Sequence, residues 1–278
     1  MIRLGITGIK GMLGSDLKSL AIKNGFDVIG YDLPDYDLAN DETIKYIINS
    51  CDIIVNCAAY TAVDKAESEI ERTYRINAEC VEKIGLAANT SKKYMVHIST
   101  DFVFGDNSTA ALKEEDIPAP LGVYGASKLE GEKKLQRACN NCSIIRVQWT
   151  YGINGDNFIK KILKAAENNK TLKIVTDQIG SPTPTTSVSK AILSMIRKRA
   201  TGIFHYSSEG YASRFEVAEF VLREKGIIRD LIPCESSEFI TPAKRPLNSR
   251  FNCSKIDTLL DYKRGFWQDE VKEFLKLF

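Results

Sequence analysis

Short apolar runs alternate with segments of helical spacing along the first two thirds of the chain. The apolar runs are typical of strands buried on both faces, and the segments between them repeat apolar side chains every three or four positions. The predicted strands are residues 2–7, 26–31, 51–56, 94–99 and 143–147, and the predicted helices are residues 12–24, 70–88 and 123–136. Because strands alternating with helices form right-handed crossover units, we predict an α/β fold with a doubly wound, Rossmann-type parallel sheet.

The alternation is less regular after residue 150. Helical spacing recurs at residues 157–167, 185–199 and 215–224, and apolar runs recur at 172–175 and 203–206. Three prolines after residue 226 indicate mixed, loop-rich structure near the end. We expect residues 1–150 to form a dinucleotide-binding domain, to which segments around 157–207 partly return. Residues 208–278, with loops near 150–156 and 177–184, are expected to form a smaller, mixed α/β substrate-binding region.

Composition and charge narrow the class of protein. The 278 residues include 38 basic and 36 acidic side chains, and the net charge of +2 is not the basic surface that nucleic-acid binding requires. No apolar stretch approaches the ~18 residues of a membrane span, and the first residues lack a signal-peptide pattern. We therefore expect a cytoplasmic protein with neither nucleic acid nor a membrane as its partner.

The seven cysteines are odd in number and scattered, unlike a disulfide framework. Cys139 and Cys142 have the spacing of a metal or redox pair, but the chain contains only two histidines, His97 and His205. Because nothing completes a ligand set, we expect no metal there and interpret the pair as a helix-to-strand loop.

A glycine-rich turn follows the first predicted strand. Gly8, Gly11 and Gly14 have the spacing in which one glycine permits a tight turn, the next admits a pyrophosphate and the third lets helix and strand pack together. The helix that begins at Met12 and Leu13 offers unpaired N–H groups to phosphates. We predict dinucleotide binding here, with a simple turn as the alternative.

An acidic residue follows the second predicted strand. Asp32 is in position to accept hydrogen bonds from both adenosine-ribose hydroxyls and to repel a 2′-phosphate, which slightly favours NADH over NADPH. Lys10 is a counterweight that favours NADPH, and a solvated turn is the alternative role for Asp32. Asp37 either approaches the adenine or caps the next helix, and Leu38 is predicted in the same site.

Small residues end the third predicted strand. Ala58, Ala59 and Tyr60 leave room for the cofactor at the carboxyl edge of the sheet, or serve close packing alone. Residues 61–67 open a helix that is expected to line the same crevice, and Val63 is a candidate substrate contact.

Tyr124 and Lys128 are four residues apart, so both lie on one face of the predicted helix. A cation beside a phenol lowers the pKa of the phenol toward the range that acid–base catalysis needs. Thr100 ends the fourth strand, where its hydroxyl can bind a substrate carbonyl, and Ile98 is expected beside the cofactor. Chance spacing and a purely structural Ser-Thr-Asp turn are the alternatives.

These motifs together resemble those of the dTDP-4-dehydrorhamnose reductases, within the extended short-chain dehydrogenase/reductase superfamily. The similarity runs through nearly the whole chain, in segments 8–14, 56–67, 99–104, 124–132, 146–152, 177–183 and 243–249. The resemblance implies a nicotinamide cofactor, NADH or NADPH, and a nucleotide sugar as substrate. A homodimer and Mg²⁺ at a subunit contact are implied by resemblance only, because we see no convincing ligand cluster.

The resemblance also assigns roles to residues. It implies that Tyr124 donates the proton, that Lys128 holds the nicotinamide ribose and tunes the tyrosine, and that Thr100 shares the substrate hydrogen bond. The implied sugar-nucleotide contacts are Val63, Thr100, Asp101, Trp149 and Arg245. Arg245 is expected to pair with a diphosphate, which a guanidinium fork suits, and a surface charge is its alternative role.

Some positions depart from the family pattern. Cys57 and Phe102 replace an alanine and a tyrosine, Val147 and Gln148 replace a small hydroxyl pair, and residues 106–116 lack a Pro-Tyr pair. Most of these lie near the expected sugar pocket, so they leave the identity of the sugar open.

The expected activity is reduction of the C4 keto group of a nucleotide-linked 6-deoxy sugar, in particular dTDP-4-dehydro-L-rhamnose. Two alternatives remain at this point. A sugar-nucleotide epimerase or dehydratase has the same triad but recycles its cofactor, and a regulatory subunit binds the dinucleotide without turnover.

Overall fold

The chain is built around a six-stranded parallel sheet. The structure is a computed structural model that describes residues 1–106 and 108–278. The strands are β1 (Arg3–Thr7), β2 (Asp27–Tyr31), β3 (Ile53–Asn56), β4 (Tyr94–Thr100), β5 (Cys142–Val147), β6 (Thr150–Tyr151), β7 (Thr171–Val175), β8 (Ile179–Gly180), β9 (Thr183–Pro184), β10 (Gly202–Tyr206), β11 (Ala212–Ser213) and β12 (Asp230–Cys234).

The helices cover both faces of this sheet and build a second layer beyond it. They are α1 (Met12–Lys23), α2 (Asp41–Ser50), α3 (Val63–Ala66), α4 (Ile70–Tyr74), α5 (Cys80–Thr90), α6 (Val123–Ala138), α7 (Phe158–Asn168), α8 (Thr185–Lys198), α9 (Arg214–Glu224), α10 (Ser254–Asp257) and α11 (Trp267–Leu275). A π-helical turn, Arg75–Glu79, joins α4 to α5, and 3₁₀ turns cover Asp101–Val103 and Ser236–Glu238.

The order of the large sheet is β10-β5-β4-β3-β1-β2, and every neighbouring pair is parallel. The chain moves outward from β1 to β2 on one side and to β3 on the other, so the order reverses beside β1. In open parallel sheets this reversal leaves a ligand crevice at the carboxyl ends of the strands. The predicted doubly wound α/β fold is confirmed.

Apolar side chains from the strands meet a helical layer on each face. Leu17 of α1 and Val188 of α8 belong to the core on one face, together with Leu4 and Ile6 of β1. On the other face α2, α5 and α6 enclose a second group that includes Ile84. Burial on both faces explains why the strands read as nearly continuous apolar runs in the sequence.

A separate apolar core lies among α7, α9 and α11, with Ile162, Val217 and Val271 among its buried members. Three two-stranded sheets, β6-β9, β7-β12 and β8-β11, belong to this part of the chain. The later segments divide between the two cores. β10 joins the large sheet and α8 packs against α1, whereas α7 packs in the separate core. Phe251 and Ile256 near the end of the chain pack into the core of the large sheet.

Two helical features differ from the sequence prediction. The helix predicted at 70–88 extends to Thr90. It also contains the π turn, in which each hydrogen bond spans five residues instead of four. The final helix, α11, was not predicted, although Trp267, Val271 and Phe274 are buried at helical spacing. Within the described residues, no helix is both long enough and apolar enough to cross a membrane.

Candidate active site

The glycine turn between β1 and α1 has the geometry of an open anion site. Gly8 has a φ of 66°, in the region that favours glycine, and its carbonyl accepts a hydrogen bond of 3.0 Å from the N–H of Gly11. A β-carbon on Gly14 would overlap that same carbonyl and lie 2.8 Å from the α-carbon of Ile9. No described side chain caps α1, so the N–H groups of its first turn, at Met12 and Leu13, face the crevice without a side-chain partner.

Asp32 ties the loop after β2 to the glycine turn. Its carboxylate accepts hydrogen bonds from the backbone N–H of Lys10, at 2.8 Å, and of Leu33, at 2.9 Å. The ammonium of Lys10 donates to the carbonyl of Leu33 at 2.8 Å. Each carboxylate oxygen has a second lone pair, so Asp32 retains the capacity to accept from ribose hydroxyls.

Asp37 lies in a turn before α2 and does not cap that helix. Its side chain accepts from the N–H of Ala39 at 2.9 Å, whereas Asn40 caps α2 by accepting from Glu42. The helix-cap alternative for Asp37 is therefore wrong, because α2 begins four residues further along. Leu38 is partly buried and packs against the apolar group beneath α2 and α5.

The loop after β3 is held in place by an asparagine that sequence analysis missed. Asn77, in the π turn, accepts from the N–H of Tyr60 at 2.8 Å and donates to the carbonyl of Tyr60 at 3.1 Å. It also donates to the hydroxyl of Ser127 on α6 at 3.0 Å. Asn77 thus links the Ala58–Tyr60 loop to the helix that carries the candidate acid. The signal available in the sequence was an asparagine, Asn77, on the apolar face of an amphipathic helical segment.

Helix α6 brings Tyr124 to the carboxyl edge of the sheet. The carboxylate of Glu67 accepts from the N–H of Val123 at 2.8 Å and so holds the first turn of α6. Gly125 lets α6 approach closely, since a β-carbon there would overlap the carbonyl of Phe102. The ring of Phe102 meets the Tyr124 ring edge-on, with centroids 5.4 Å apart.

Tyr124 is held as a neutral phenol. Burial raises the pKa of Tyr124 to about 12, opposite to the lowering expected from a neighbouring cation, and a hydrogen bond with the Thr100 side chain partly opposes that rise. At neutral pH the phenol therefore carries its proton. This is the state that a proton donor in a reduction needs.

Lys128 lies one turn further along α6 and is almost completely buried. Its amine donates to the carbonyl of Ile98 at 2.7 Å and lies 3.2 Å from Nε2 of His97. Burial lowers the pKa of Lys128 to about 8, and the nearby carboxylate of Glu132 and thiol of Cys57 oppose that shift. The lysine is therefore close to its titration point at physiological pH. From the sequence, His97 was considered only as a possible metal ligand, so its contact with Lys128 was not predicted.

Asp101 is a buried connector. Its two carboxylate oxygens accept from the Thr100 hydroxyl at 3.0 Å and from the Ser249 hydroxyl at 2.5 Å. Burial raises the pKa of Asp101, and both hydrogen bonds act against that shift. Asp101 thus joins the end of β4 to the segment around residue 249.

Arg245 is engaged by a carboxylate. Its guanidinium donates two hydrogen bonds to Asp64 on α3, at 2.8 and 2.7 Å, and a third to the carbonyl of Ala243 at 2.5 Å. The adjacent Val63 is partly buried at the start of α3. The structure therefore places Arg245 beside α3, in an ion pair that the sequence did not predict.

Trp149 packs beneath a second arginine. Its φ is 44°, and the guanidinium carbon of Arg214 lies 3.6 Å from the centre of its ring and 4.8 Å from that of Phe158. These residues line a cavity of about 120 Å³ with Pro182. Burial lowers the pKa of Arg214 to about 9. Nothing in the local sequence distinguished Arg214, because it begins an ordinary helix.

Two of the positions that depart from the family pattern contact the loops around the site. Gln148 is buried and accepts from the N–H of Ser181 at 2.9 Å. Within segment 106–116, Asp106 accepts from the N–H of Leu247 at 2.7 Å, and Asn107 lies outside the described residues. The segment therefore packs along the loop that carries Arg245.

The cysteine pair is structural in its contacts. Cys139 follows the last residue of α6, and the thiol of Cys142 donates to its carbonyl at 3.0 Å. All seven cysteines are free. Among residues 1–106 and 108–278, no group of three or more histidine, cysteine, aspartate or glutamate side chains is arranged to hold a metal ion.

Comparison with known proteins identifies relatives over the full length of the chain. The family model described as the RmlD substrate binding domain matches residues 2–278. A dTDP-4-dehydrorhamnose reductase from Sinorhizobium fredii is 35% identical, over 99% of this chain and 97% of the relative.

Solved structures that are similar to this chain include proteins of the same name. A dTDP-4-dehydrorhamnose reductase from Clostridium acetobutylicum has 32% identity and a TM-score of 0.96, with 99% of each chain covered. One from Bacillus anthracis, solved in complex with NADP, has 30% identity and a TM-score of 0.95 over 100% of this chain and 99% of the other. The resemblance seen in the sequence motifs is confirmed, and the chain belongs to the RmlD substrate binding domain family.

Proposed function

We propose that the protein reduces the C4 keto group of a nucleotide-linked 6-deoxy sugar, converting dTDP-4-dehydro-L-rhamnose to dTDP-L-rhamnose with NADH or NADPH. One observation carries this proposal: a protonated phenol, Tyr124, shares a helix face with the buried amine of Lys128 beside the Thr100 hydroxyl. The named activity of relatives that match over nearly the full chain supports it.

The glycine turn fits a dinucleotide. A pyrophosphate needs close backbone approach and free N–H groups, and both are available where Gly11 precedes an uncapped helix. Asp32 favours NADH through the ribose hydroxyls, whereas a relative binds NADP. The residues proposed to line the rest of this site are Gly8, Met12, Leu13, Gly14, Asp37, Leu38, Ala58, Ala59, Tyr60, Ile98, Tyr124 and Lys128. When bound, the cofactor supplies the hydride that reduces the sugar C4.

The chain's own residues supply the proton and the polarising contacts. Tyr124 donates its phenolic proton to the oxygen at C4 as negative charge develops there. The Thr100 hydroxyl, which donates to Asp101 in this structure, turns to donate its hydrogen bond to the same oxygen, which stabilises that charge. Lys128 supplies positive charge that favours the phenolate left on Tyr124.

The sugar nucleotide is proposed to lie between the two cores. Residues 1–150 would bind the dinucleotide, and residues 208–278 with the loops near 150–156 and 177–184 would bind the substrate. Trp149 and Val63 offer apolar surface, and Asp101 supports Thr100 from behind. Arg245 is proposed to pair with the diphosphate, which requires it to leave Asp64 at least in part.

The test is a coupled assay that follows NADH or NADPH absorbance with dTDP-4-keto-6-deoxy-L-mannose generated in situ. We expect oxidation that depends on the sugar, and the two cofactors are ranked in parallel. Tyr124→Phe should lower kcat by about 10²- to 10⁴-fold while cofactor affinity is unchanged. Near-normal turnover by this variant would contradict the mechanism.

The same assay separates the alternatives. Cofactor that binds tightly but is never consumed would indicate an epimerase or dehydratase, and binding without any turnover of sugar would indicate a regulatory subunit. The homodimer and Mg²⁺ rest on the resemblance alone. Sedimentation with and without a chelator tests both.

A further inference from the structure

A row of buried polar side chains crosses three neighbouring strands beneath the candidate site. Thr7 of β1 is in register with Asn56 of β3, and Asn56 is in register with His97 of β4. All three are buried, and the row ends at the amine of Lys128, 3.2 Å from Nε2 of His97. Buried polar groups are costly unless each is paired, so the donors and acceptors in this row determine one another.

The orientation of the Asn56 amide is fixed by a backbone group. The N–H of Ala58 can only donate, and it lies 3.2 Å from the amide oxygen of Asn56. The Thr7 hydroxyl donates to the same oxygen at 2.6 Å. The amide nitrogen of Asn56 therefore faces Nδ1 of His97, at 3.1 Å, and donates to it.

The tautomer of His97 follows from that orientation. Because Nδ1 accepts from Asn56, the proton of the neutral imidazole resides on Nε2 and points at Lys128. Burial and the charge of Lys128 hold the pKa of His97 well below its usual value, so the ring is neutral. An N–H donor facing an ammonium leaves two donors in contact, whereas an uncharged amine can accept that hydrogen bond.

We propose that His97, oriented by Asn56, is a positioning residue that stabilises the uncharged amine of Lys128 and so lets this lysine release a proton during turnover. The proposal rests on the reductase function. After Tyr124 gives its proton to the sugar oxygen, the phenol is restored by a proton that leaves the Lys128 ammonium, and solvent returns a proton to Lys128 before the next turnover. The resulting amine keeps one N–H on the Ile98 carbonyl and accepts from Nε2 of His97.

Two other groups near Lys128 favour its charged form. The carboxylate of Glu132 on α6 and the thiol of Cys57 after β3 favour the ammonium. Glu132 is already engaged by the guanidinium of Arg146 on β5, at 2.6 and 2.9 Å. His97 is thus the neighbour whose hydrogen-bond polarity favours the amine, and burial acts in the same direction.

The first test reads the tautomer directly. The chain has two histidines, and the structure gives them opposite tautomers. Nδ1 of His205 lies 3.0 Å from the carbonyl of Leu112, which can only accept, so His205 carries its proton on Nδ1. A long-range ¹H–¹⁵N correlation spectrum of the full protein, with His205→Gln for assignment, should show His97 protonated on Nε2 alone. Protonation of His97 on Nδ1 or on both nitrogens would overturn the proposal.

The second test measures Lys128. In His97→Gln the side-chain carbonyl is free to accept from the ammonium, so the titration midpoint of Lys128 should rise by about one pH unit. Lysine labelled with ¹³C at Cε reports this midpoint, and Lys128→Met assigns the resonance. The matched control is His205→Gln, in which the midpoint should not move. A folded His97→Gln protein with an unchanged midpoint would contradict the proposal.

The pH profile of turnover distinguishes positioning from simple support of the fold. In His97→Gln the limb that reports Lys128 should move to higher pH by the same amount, whereas a structural defect would lower kcat equally at every pH. Both spectroscopic tests use protein without substrate. Their outcomes therefore do not depend on the sugar assay that tests the proposed function.

Discussion

Arg245 and Asp64 form a two-pronged ion pair that joins the C-terminal loop to helix α3, with N–O distances of 2.8 and 2.7 Å. The pair holds the pKa of Asp64 below its usual value. Its contribution to stability is therefore present above the ordinary carboxylate pKa, ~3.9, and is lost only as pH falls below that value. Because both side chains are partly exposed, that contribution is small, about 0–1 kcal/mol.

The ion pair makes a prediction about nucleotide affinity. Asp64 competes with a diphosphate for the guanidinium, so Asp64→Asn should tighten dTDP binding several-fold. Arg245→Lys cannot form the two-pronged contact and should weaken dTDP binding about tenfold. Calorimetric titration with dTDP measures both effects.

The control for this prediction is a similar ion pair elsewhere in the chain. Arg264 donates to both oxygens of Asp257, at 2.7 and 3.1 Å. Asp257→Asn should leave dTDP affinity unchanged. If Asp64→Asn weakened binding as Arg245→Lys does, the two residues would act as one unit and the competition argument would be wrong.

The glycine turn should separate folding from cofactor binding. At Gly11 a β-carbon would lie 3.1 Å from the carbonyl of Gly8, which a small shift can relieve, whereas at Gly14 it would overlap that carbonyl. Gly14→Ala should therefore lower the unfolding free energy by about 1–3 kcal/mol. Gly11→Ala should change it little but weaken cofactor binding, because its methyl group occupies the path of the pyrophosphate. Thermal unfolding and NADH fluorescence titration measure the pair, and equal loss of stability in both variants would refute the distinction.

The parts of this molecule that local sequence determines could be predicted. β1 and the glycine turn are adjacent in the chain, and Tyr124 and Lys128 lie one helical turn apart, so their spacing carried the information. The parallel sheet could be predicted because short apolar runs, typical of strands buried on both faces, alternate with helical segments along the chain.

The missed features depend on contacts distant in sequence. Asp64 and Arg245 are 181 residues apart, so no local pattern reveals that the guanidinium already has a partner. Asn56 and His97 meet only because β3 and β4 pair in one register. In the same way, Asn77 in the π turn contacts both the Tyr60 backbone and Ser127 on α6, and both partners are distant in sequence.

A buried ion pair beneath the site should be important for folding. Arg146 and Glu132 are each no more than 2% exposed, and the guanidinium donates to both carboxylate oxygens. Glu132→Gln leaves the charge of Arg146 without its counter-ion and should cost about 3–5 kcal/mol. Urea denaturation at neutral pH measures this loss. Glu82→Gln removes the partner of Lys134 in a more exposed pair and should cost less than about 1 kcal/mol, so similar losses in the two variants would count against the argument.

Lys128 should make the stability of the protein depend on pH in a direction opposite to that of a surface lysine in an ion pair. Its pKa is lowered from 10.5 to about 8 by burial, so between these values the native state binds fewer protons than the unfolded chain. Stability therefore rises with pH through this window, by about 3 kcal/mol for a shift of this size. Below pH ~8 the full cost of burying the ammonium is present.

Comparison with Lys128→Met isolates this effect, because other groups that titrate in the same window are common to both proteins. The unfolding free energy of the wild type should gain on that of the variant as pH rises from about 8 to 10.5, whatever the offset between them at pH 7. Urea denaturation at several pH values gives the difference. Lys133→Met, on the exposed face of the same helix, should show no such trend. A difference between wild type and Lys128→Met that stayed constant with pH would mean that burial does not lower the pKa of Lys128.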